Sequence, residues 1–216
     1  MKKKAVIILA LLLAVSGLMA YTPLDKNNVN SFDRLFMTEY NSSLDKAATA
    51  VDISLFATPL VTALSGEKRL GTVGVMYIET FLLSWGAKEI LKYTVNRDRP
   101  YLYYDNPPQE KEDDWHKSFP SGHTTLAFAT AAFTAYTFSE YNPESNWKIP
   151  VTAGVYTLAF TTAALRIISG SHFMTDVLMG AAIGSLIGFA VPWLHTFSDD
   201  VKMGVTPFSL AFSIGF

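Results

Sequence analysis

The sequence predicts an all-α fold, a bundle of five or six membrane-spanning helices that ends in a short β-like tail. Half of the 216 residues are hydrophobic, and the mean hydropathy of +0.22 is high for a soluble enzyme. The apolar residues gather into runs near the roughly 20 residues that a helix needs to cross a bilayer. At the C-terminal end, large apolar and small side chains alternate instead, as they do along a strand.

The composition excludes several kinds of protein. A net charge of -2 argues against a nucleic-acid partner. The chain has no cysteine, so it has no disulfides, no thiolate nucleophile and no cysteine metal site. Its length is sufficient for one domain with a substantial core. The sequence leaves the oligomeric state open.

Residues 1–20 are predicted to be an export segment. A basic head at residues 2–4 precedes an apolar stretch and a small-residue end, which is the order found in signal peptides. Cleavage after Ala20 is one possibility, and retention as a first membrane helix is the other. In both cases the lysines stay in the cytoplasm and Tyr21 begins outside it.

Residues 21–47 form a polar N-terminal segment. Its larger apolar residues recur at helical spacing, so a short amphipathic helix at a surface or interface is expected. We expect no catalytic residue in this segment. The residues that define the spacing are Phe32, Leu35, Phe36 and Tyr40.

Residues 48–198 are predicted to form the functional domain. It contains five apolar runs, which are 48–64, 70–91, 125–138, 150–165 and 177–194. If residues 1–20 are retained, they would add a sixth span. Glycines recur every four residues in the last run, so one small face allows close helix packing. These are Gly180, Gly184 and Gly188.

Residues 199–216 form a separate tail. From residue 205 onward the side chains alternate with the period of a strand. The terminal Phe216 is typical of the closing strand of an outer-membrane barrel, but one strand cannot form a barrel. The role of this tail stays open.

The strongest chemical signal is the charged trio Arg166, His172 and Asp176 between two apolar runs. His172 and Asp176 are four residues apart, so they share a face of a helical turn. The carboxylate can hold one ring nitrogen and leave the other free to attack. Arg166 adds a permanent positive charge that suits an oxyanion. The trio indicates phosphoryl transfer, and a purely structural ion pair is the alternative.

Two further motifs precede the trio. Lys92 and Arg99-Pro100 lie at a helix exit, where cations also simply complement the helix dipole. Pro120-Ser121-Gly122-His123 precedes an apolar run, so Ser121 or Gly122 can cap a helix whose free N–H groups bind an anion. A plain cap beside an ordinary histidine is the alternative there.

Together the three motifs resemble the type 2 phosphatidic acid phosphatase (PAP2) superfamily, which also includes class A acid phosphatases and vanadium haloperoxidases. The resemblance covers residues 70–194. One departure is Leu165, which stands where the third motif of the family often has a serine. The resemblance implies a helical fold, no metal and no other cofactor.

The resemblance also implies a role for each motif residue. His172 would be the nucleophile that forms a phosphohistidine, Asp176 would orient it, and His123 would protonate the leaving alkoxide. The phosphate oxygens would be bound by Lys92, Arg99, Arg166, Ser121 and the Gly122 backbone. Arg97 falls outside the motif and is interpreted as a surface charge.

The chemistry needs this set independently, because phosphoryl transfer spreads negative charge over three equatorial oxygens. Cations and helix N–H groups can stabilise that charge without a metal. If the apolar runs alternate in direction, all three motifs meet on the outer face of the membrane.

The sequence therefore predicts a phosphatase of lipid phosphates or pyrophosphates in the bacterial cytoplasmic membrane, with its active site facing the periplasm. A soluble or outer-membrane-associated periplasmic acid phosphatase is one alternative. A vanadate-dependent haloperoxidase is a weaker alternative, because such chains are usually much longer. A non-catalytic membrane scaffold or phosphate-binding module is the alternative outside enzymology. The sequence does not name the substrate.

Overall fold

A computed structural model describes residues 21–65, 69–196, 201–206 and 209–214; the predicted export segment lies outside them. The α-helices in this part of the chain are α1 (Ser31–Arg34), α2 (Ser42–Phe56), α3 (Pro59–Ala63), α4 (Arg69–Val95), α5 (Gly122–Tyr141), α6 (Lys148–Ile168) and α7 (Met174–Thr196). Short 3-10 turns occupy Lys26–Asn28, Pro100–Tyr103 and Gln109–Asp114.

Helix α5 lies at the centre of the bundle, where it packs against α2, α3, α4, α6 and α7. Most of its residues are buried, and many are alanine or threonine. Small side chains let five neighbouring helices approach one central axis. The buried threonine hydroxyls find partners within the bundle: Thr137 donates to the Phe133 carbonyl at 2.8 Å, and Thr130 bonds Tyr77 at 2.9 Å.

The predicted glycine face of the last apolar run is confirmed as a packing surface. Gly180, Gly184 and Gly188 of α7 lie directly against the backbone of α5. A Cβ atom at Gly180 would lie only 2.8 Å from the Ser121 carbonyl oxygen, and one at Gly184 would lie 2.9 Å from the Ala129 nitrogen. This close contact places the N-terminal ends of α5 and α7 side by side.

Four of the five apolar runs lie within single helices, namely α4, α5, α6 and α7. The run 48–64 does not, because α2 ends at Phe56 and α3 begins at Pro59. Proline suits the first turn of a helix but interrupts the interior of one. Each of the two pieces is too short to cross a bilayer alone.

Three helices in the described residues are long and apolar enough to cross a membrane, one within Leu70–Tyr103 and the others at Lys148–Ile168 and Met174–Thr196. The length and composition of these helices support a membrane protein. The count of five or six spans stays a prediction.

The N-terminal segment differs from its predicted amphipathic helix. Helix α1 ends at Arg34, so Tyr40 lies outside it. The segment is bound to the bundle: Leu24 N–H donates to the Leu102 carbonyl at 2.9 Å, and Asn41 N–H donates to the Ser169 carbonyl at 3.0 Å. Residues 21–47 are thus packed on the functional domain.

The tail forms an antiparallel hairpin of β1 (Val201–Thr206) and β2 (Ser209–Ile214), in which Val201 pairs with Ile214. The strand pattern predicted from residue 205 onward is present in β2. The first strand was missed, although Val201, Met203 and Val205 also alternate with smaller or polar residues.

Candidate active site

A cavity of about 480 Å³ opens at one end of the bundle. Its wall includes the C-terminal ends of α4 and α6 and the N-terminal end of α5, so these helices alternate in direction. Six of the eight predicted site residues line it, which are Lys92, Arg99, Gly122, His123, Arg166 and His172. The other two, Ser121 and Asp176, are buried and do not line the cavity.

His172 lies in the short loop between α6 and α7 and is 2% exposed. The loop turns at Gly170, whose φ of +67° favours glycine, and a Cβ there would lie 2.7 Å from the Glu39 carbonyl oxygen. The His172 N–H then donates to the Arg166 carbonyl at 3.1 Å. These contacts fix the position of the imidazole at the base of the cavity.

The neighbours of the imidazole determine its tautomer. Nε2 lies 3.1 Å from Nη1 of Arg99, and a guanidinium can only donate, so Nε2 is the unprotonated nitrogen. Nδ1 therefore carries the proton and lies 3.7 Å from Oδ2 of Asp176, without a hydrogen-bond partner among the described residues. Burial, followed by the charges of Arg99 and Arg166, lowers the pKa of His172 well below its usual range.

Asp176 is held by three donors. Ser118 Oγ donates to Oδ2 at 2.6 Å, the Phe173 N–H donates to Oδ2 at 2.9 Å, and Arg97 Nη1 donates to Oδ1 at 2.6 Å. A carboxylate with this many donors keeps one orientation. It lies behind the imidazole, on the side away from the cavity.

The predicted phosphate-binding cations converge from three elements. Lys92 Nζ donates to the Lys117 carbonyl at 2.8 Å. Arg99 Nε donates to the Asp114 carbonyl at 2.9 Å, and its Nη1 lies 3.1 Å from the Ser171 carbonyl oxygen. Lys88, Lys111 and Lys117 add further positive charge to the cavity wall. The lining also includes Asp52, Glu89 and Asp114, so its lysines and arginines outnumber its carboxylates.

Arg166 is 2% exposed and pairs with Asp45 of α2. Asp45 also pairs with Lys111 and accepts a hydrogen bond from Ser171 Oγ at 2.9 Å. Burial opposes ionisation of Asp45, but Arg166, Lys111 and Ser171 together hold its pKa below the usual range. Residues 21–47, in which no catalytic residue is expected, thus supply a partner for the cavity-lining Arg166, although Asp45 itself does not line the cavity.

The motif at the start of α5 contributes His123 and a close backbone approach. Nε2 of His123 lies 3.3 Å from Thr49 Oγ1. A Cβ at Gly122 would lie 3.1 Å from Lys88 Cδ, so glycine lets this cation reach the helix end. Ser121 is the N-cap, but its hydroxyl bonds Thr124 at 2.9 Å and its N–H donates to the Asp176 carbonyl at 3.0 Å. Its hydroxyl therefore faces its own helix.

Arg97 is not the surface charge that the sequence suggested. Its Nη1 donates to Asp176 and its Nη2 donates to Asp33 Oδ2, each at 2.6 Å. The guanidinium also covers the Phe173 ring, with 4.2 Å between Cζ and the ring centroid. Asp33, which sequence reasoning missed, is fully buried. A buried aspartate in a polar segment carries no local signal, because its partner lies far away in the chain.

One wall of the cavity is apolar. It belongs to α2, α4 and α5 and consists of Ile53, Phe56, Phe81, Trp85 and Leu126. The anion-binding groups are thus adjacent to a surface that accepts hydrocarbon. Within the described residues, no group of three or more His, Asp or Glu side chains is arranged to hold a metal ion.

Comparison with known proteins gives a family match and two likenesses to solved structures. The family model described as "PAP2 superfamily" matches residues 73–200. The crystal structure of LpxE from Aquifex aeolicus has a TM-score of 0.52 and 24% identity, and covers 74% of this chain and 92% of LpxE. A transmembrane PAP2-type phosphatidylglycerolphosphate phosphatase from Bacillus subtilis has a TM-score of 0.44 and 22% identity, and covers 78% and 90%. Comparison with curated protein sequences gives no match.

Proposed function

The chain belongs to the PAP2 superfamily and is a phosphatase, and from this premise we propose that it hydrolyses a lipid phosphate through a phosphohistidine on His172. The observation that carries the proposal is a neutral, oriented imidazole at the base of a cationic cavity that has one apolar wall.

In the first step, Nε2 of His172 attacks the phosphorus atom while the ester oxygen leaves on the opposite side. A P–N bond forms and a P–O bond breaks. The imidazole becomes cationic, and Asp176, 3.7 Å from Nδ1, stabilises that charge. Lys92, Arg99 and Arg166 neutralise the equatorial oxygens, and Arg99 exchanges its contact with Nε2 for one with phosphate.

His123 manages the protons on the leaving-group side. In its protonated form it donates to the leaving alkoxide, which departs as an alcohol. In its neutral form it then takes a proton from water, whose oxygen attacks the phosphohistidine and releases inorganic phosphate. The P–N bond breaks and His172 returns to its starting tautomer.

The apolar wall supports a lipid as the substrate. A phosphate on a small soluble molecule would leave Phe81, Trp85 and their neighbours in contact with water. An acyl or isoprenyl chain would cover them and gain about 25 cal/mol for each Å² of apolar surface removed from water. The bilayer around the candidate membrane spans would be the source of such a substrate. We place the protein in the bacterial cytoplasmic membrane with this cavity facing the periplasm.

The test of the mechanism is covalent trapping on the full chain in detergent. Wild type, quenched during turnover of a ³²P-labelled lipid phosphate, should retain label in a bond stable to alkali and labile to acid. His172→Ala should lose the label and several orders of magnitude in kcat. His116→Ala, at an exposed histidine paired with Asp98, is the matched control and should behave as wild type. Near-normal kcat in His172→Ala would overturn the assignment.

The test of the substrate class compares dioctanoyl phosphatidic acid with glycerol 3-phosphate, which carries a phosphate without acyl chains. We expect a much larger kcat/KM for the lipid. Equal values would refute the lipid proposal while leaving the phosphohistidine chemistry intact.

A further inference from the structure

We propose that Arg97 and Asp33 are positioning residues that extend the His172–Asp176 pair into a chain of alternating charges. The inference rests on the proposed role of His172 as nucleophile. It assigns part of the catalytic apparatus to residue 33, which lies outside the family match over residues 73–200.

The geometry of Arg97 is that of a bridge. One terminal nitrogen donates to Asp176 Oδ1 and the other donates to Asp33 Oδ2, both at 2.6 Å. The first nitrogen also donates to Thr175 Oγ1 at 2.7 Å. A planar guanidinium offers donors in fixed directions, so its two carboxylate contacts fix the orientation of Asp176. Phe173 covers one face of the bridge.

Asp33 is held as firmly as the carboxylate it helps to position. Its Oδ2 accepts hydrogen bonds from Asn30 Nδ2 at 2.6 Å and from Thr175 Oγ1 at 2.7 Å, besides the one from Arg97. Its Oδ1 accepts one from the Thr175 N–H at 2.9 Å. All of these donors bind a residue of the polar N-terminal segment, residues 21–47. Asp33 therefore connects this segment to the first turn of α7, immediately beside Asp176.

The order of charges explains why two extra residues are useful. Arg97 alone would draw electron density from Asp176 and weaken its support of the cationic imidazole. Asp33 balances Arg97, so Asp176 keeps its full charge while it is held in place by a rigid donor. The other ionisable groups that act on His172 come from α4, the loop after it, α5 and α6, and they are Lys92, Arg99, His123 and Arg166. None of these is altered by the substitutions below.

The prediction is a pair of opposite shifts in the acid limb of the kcat/KM–pH profile. In Asp33→Asn, the unbalanced Arg97 lowers the basicity of His172, so the limb moves to lower pH. In Arg97→Gln, the positive charge beside Asp176 is removed. The basicity of His172 therefore rises, and the limb moves to higher pH. We expect each substitution to lower kcat by about tenfold or more, with little change in KM. The double variant should lie between the two single variants.

The measurement uses dioctanoyl phosphatidic acid in detergent micelles. The ionisation of this substrate is the same for all variants, so it does not contribute to differences between their pH profiles. Asp25→Asn and Arg34→Gln change exposed residues of the same segment and should match wild type. Arg97→Lys keeps the charge but loses the two-way fork; it should lower kcat and leave the limb in place. It also serves if Arg97→Gln does not fold.

A second readout does not depend on turnover. The chain has four histidines, so the imidazole ¹⁵N signals of His172 can be assigned by comparison with His172→Gln. Asp33→Asn should shift the Nδ1 signal of His172, and this outcome supports the positioning role even if no phosphatase activity is found. Unchanged ¹⁵N signals and an unmoved acid limb, with only reduced thermal stability, would overturn the proposal and leave Arg97 and Asp33 as structural residues.

Discussion

At the residue scale, the unusual feature of this molecule is the number of ionised groups that it buries around the cavity. Removing a single carboxylate from water costs several kcal/mol unless cations and hydrogen bonds replace the lost hydration. Asp33 and Asp45 both have such replacements, one from Arg97 and the other from Arg166 and Lys111. The native state therefore stabilises the ionised forms of both carboxyl groups.

Because the folded protein stabilises these ionised carboxylates, we expect it to lose stability in acid. Burial opposes ionisation of Asp45, but its partners hold its folded pKa below the unfolded value of about 3.9. The unfolded chain therefore takes up protons first, and the stabilisation that Asp45 gives above about pH 4 is lost as the pH falls towards the folded pKa. Thermal unfolding in detergent should show the melting temperature of wild type falling steeply below about pH 4.

Asp45→Asn provides the comparison for this prediction. It should cost about 3–5 kcal/mol at pH 7, because Arg166 stays buried without its partner, and it should flatten the acid decline. Asp105→Asn, at an exposed position, should retain the wild-type decline. The same slope in Asp45→Asn and wild type would contradict the assignment.

The residues that the sequence predicted and those that it missed differ in how far their partners lie along the chain. His172 and Asp176 are one helical turn apart, so their spacing alone indicates a joint role. Asp33 meets Thr175 across 142 residues and Arg166 meets Asp45 across 121. No local sequence pattern marks such a pair. In the sequence, Arg97 cannot be told from an ordinary exposed cation, because its partners are identified only in the folded structure.

At the element scale, the pairing of α5 with α7 brings the N-terminal ends of these two helices side by side. A small residue every fourth position was visible in the sequence, and it predicted close packing without naming the partner helix. The interruption at Pro59 was visible as well, but hydropathy alone joined α2 and α3 into one run. The position of the proline, at the start of α3, is the better guide.

Substitution of the contact glycine should separate these helices. A Cβ at Gly184 meets the backbone of Thr125 and Ala129, which cannot move aside as a flexible side chain can. We expect Gly184→Ala to destabilise the protein by about 1–3 kcal/mol. The matched control is Gly154→Ala in α6, where nothing lies within 4 Å; it should be neutral or stabilising by up to about 1 kcal/mol. Thermal unfolding of both variants in one detergent decides the point, and equal melting temperatures would count against the close contact.

At the scale of the whole molecule, the cavity lies where helix ends of alternating direction meet. Lys92 and Arg166 lie near the ends of their helices, whereas His123 lies near the start of α5. Under the proposed topology, one face of the membrane carries the whole site. Which face it is follows from the basic head at residues 2–4, which is expected to stay in the cytoplasm.

Single cysteines test this orientation, because the chain has none of its own. Asn106→Cys lies in the loop on the cavity side, Ser145→Cys in the link between α5 and α6, and Ser213→Cys in β2. In intact cells an impermeant thiol reagent should label Asn106→Cys and spare the other two, which should react after lysis. Labelling of all three in intact cells would instead indicate a soluble or outer-membrane protein.

The long-range contacts of the N-terminal segment also bear on how the protein is made. Asp33 is synthesised early, whereas the Thr175 amide that it accepts from arrives only with the last helix. A ribosome that stalls before the loop between α6 and α7 would release a chain without His172 and without the Thr175 donors of Asp33. Under the proposed mechanism such a chain lacks its nucleophile, and Asp33 lacks two of the donors that replace its lost hydration.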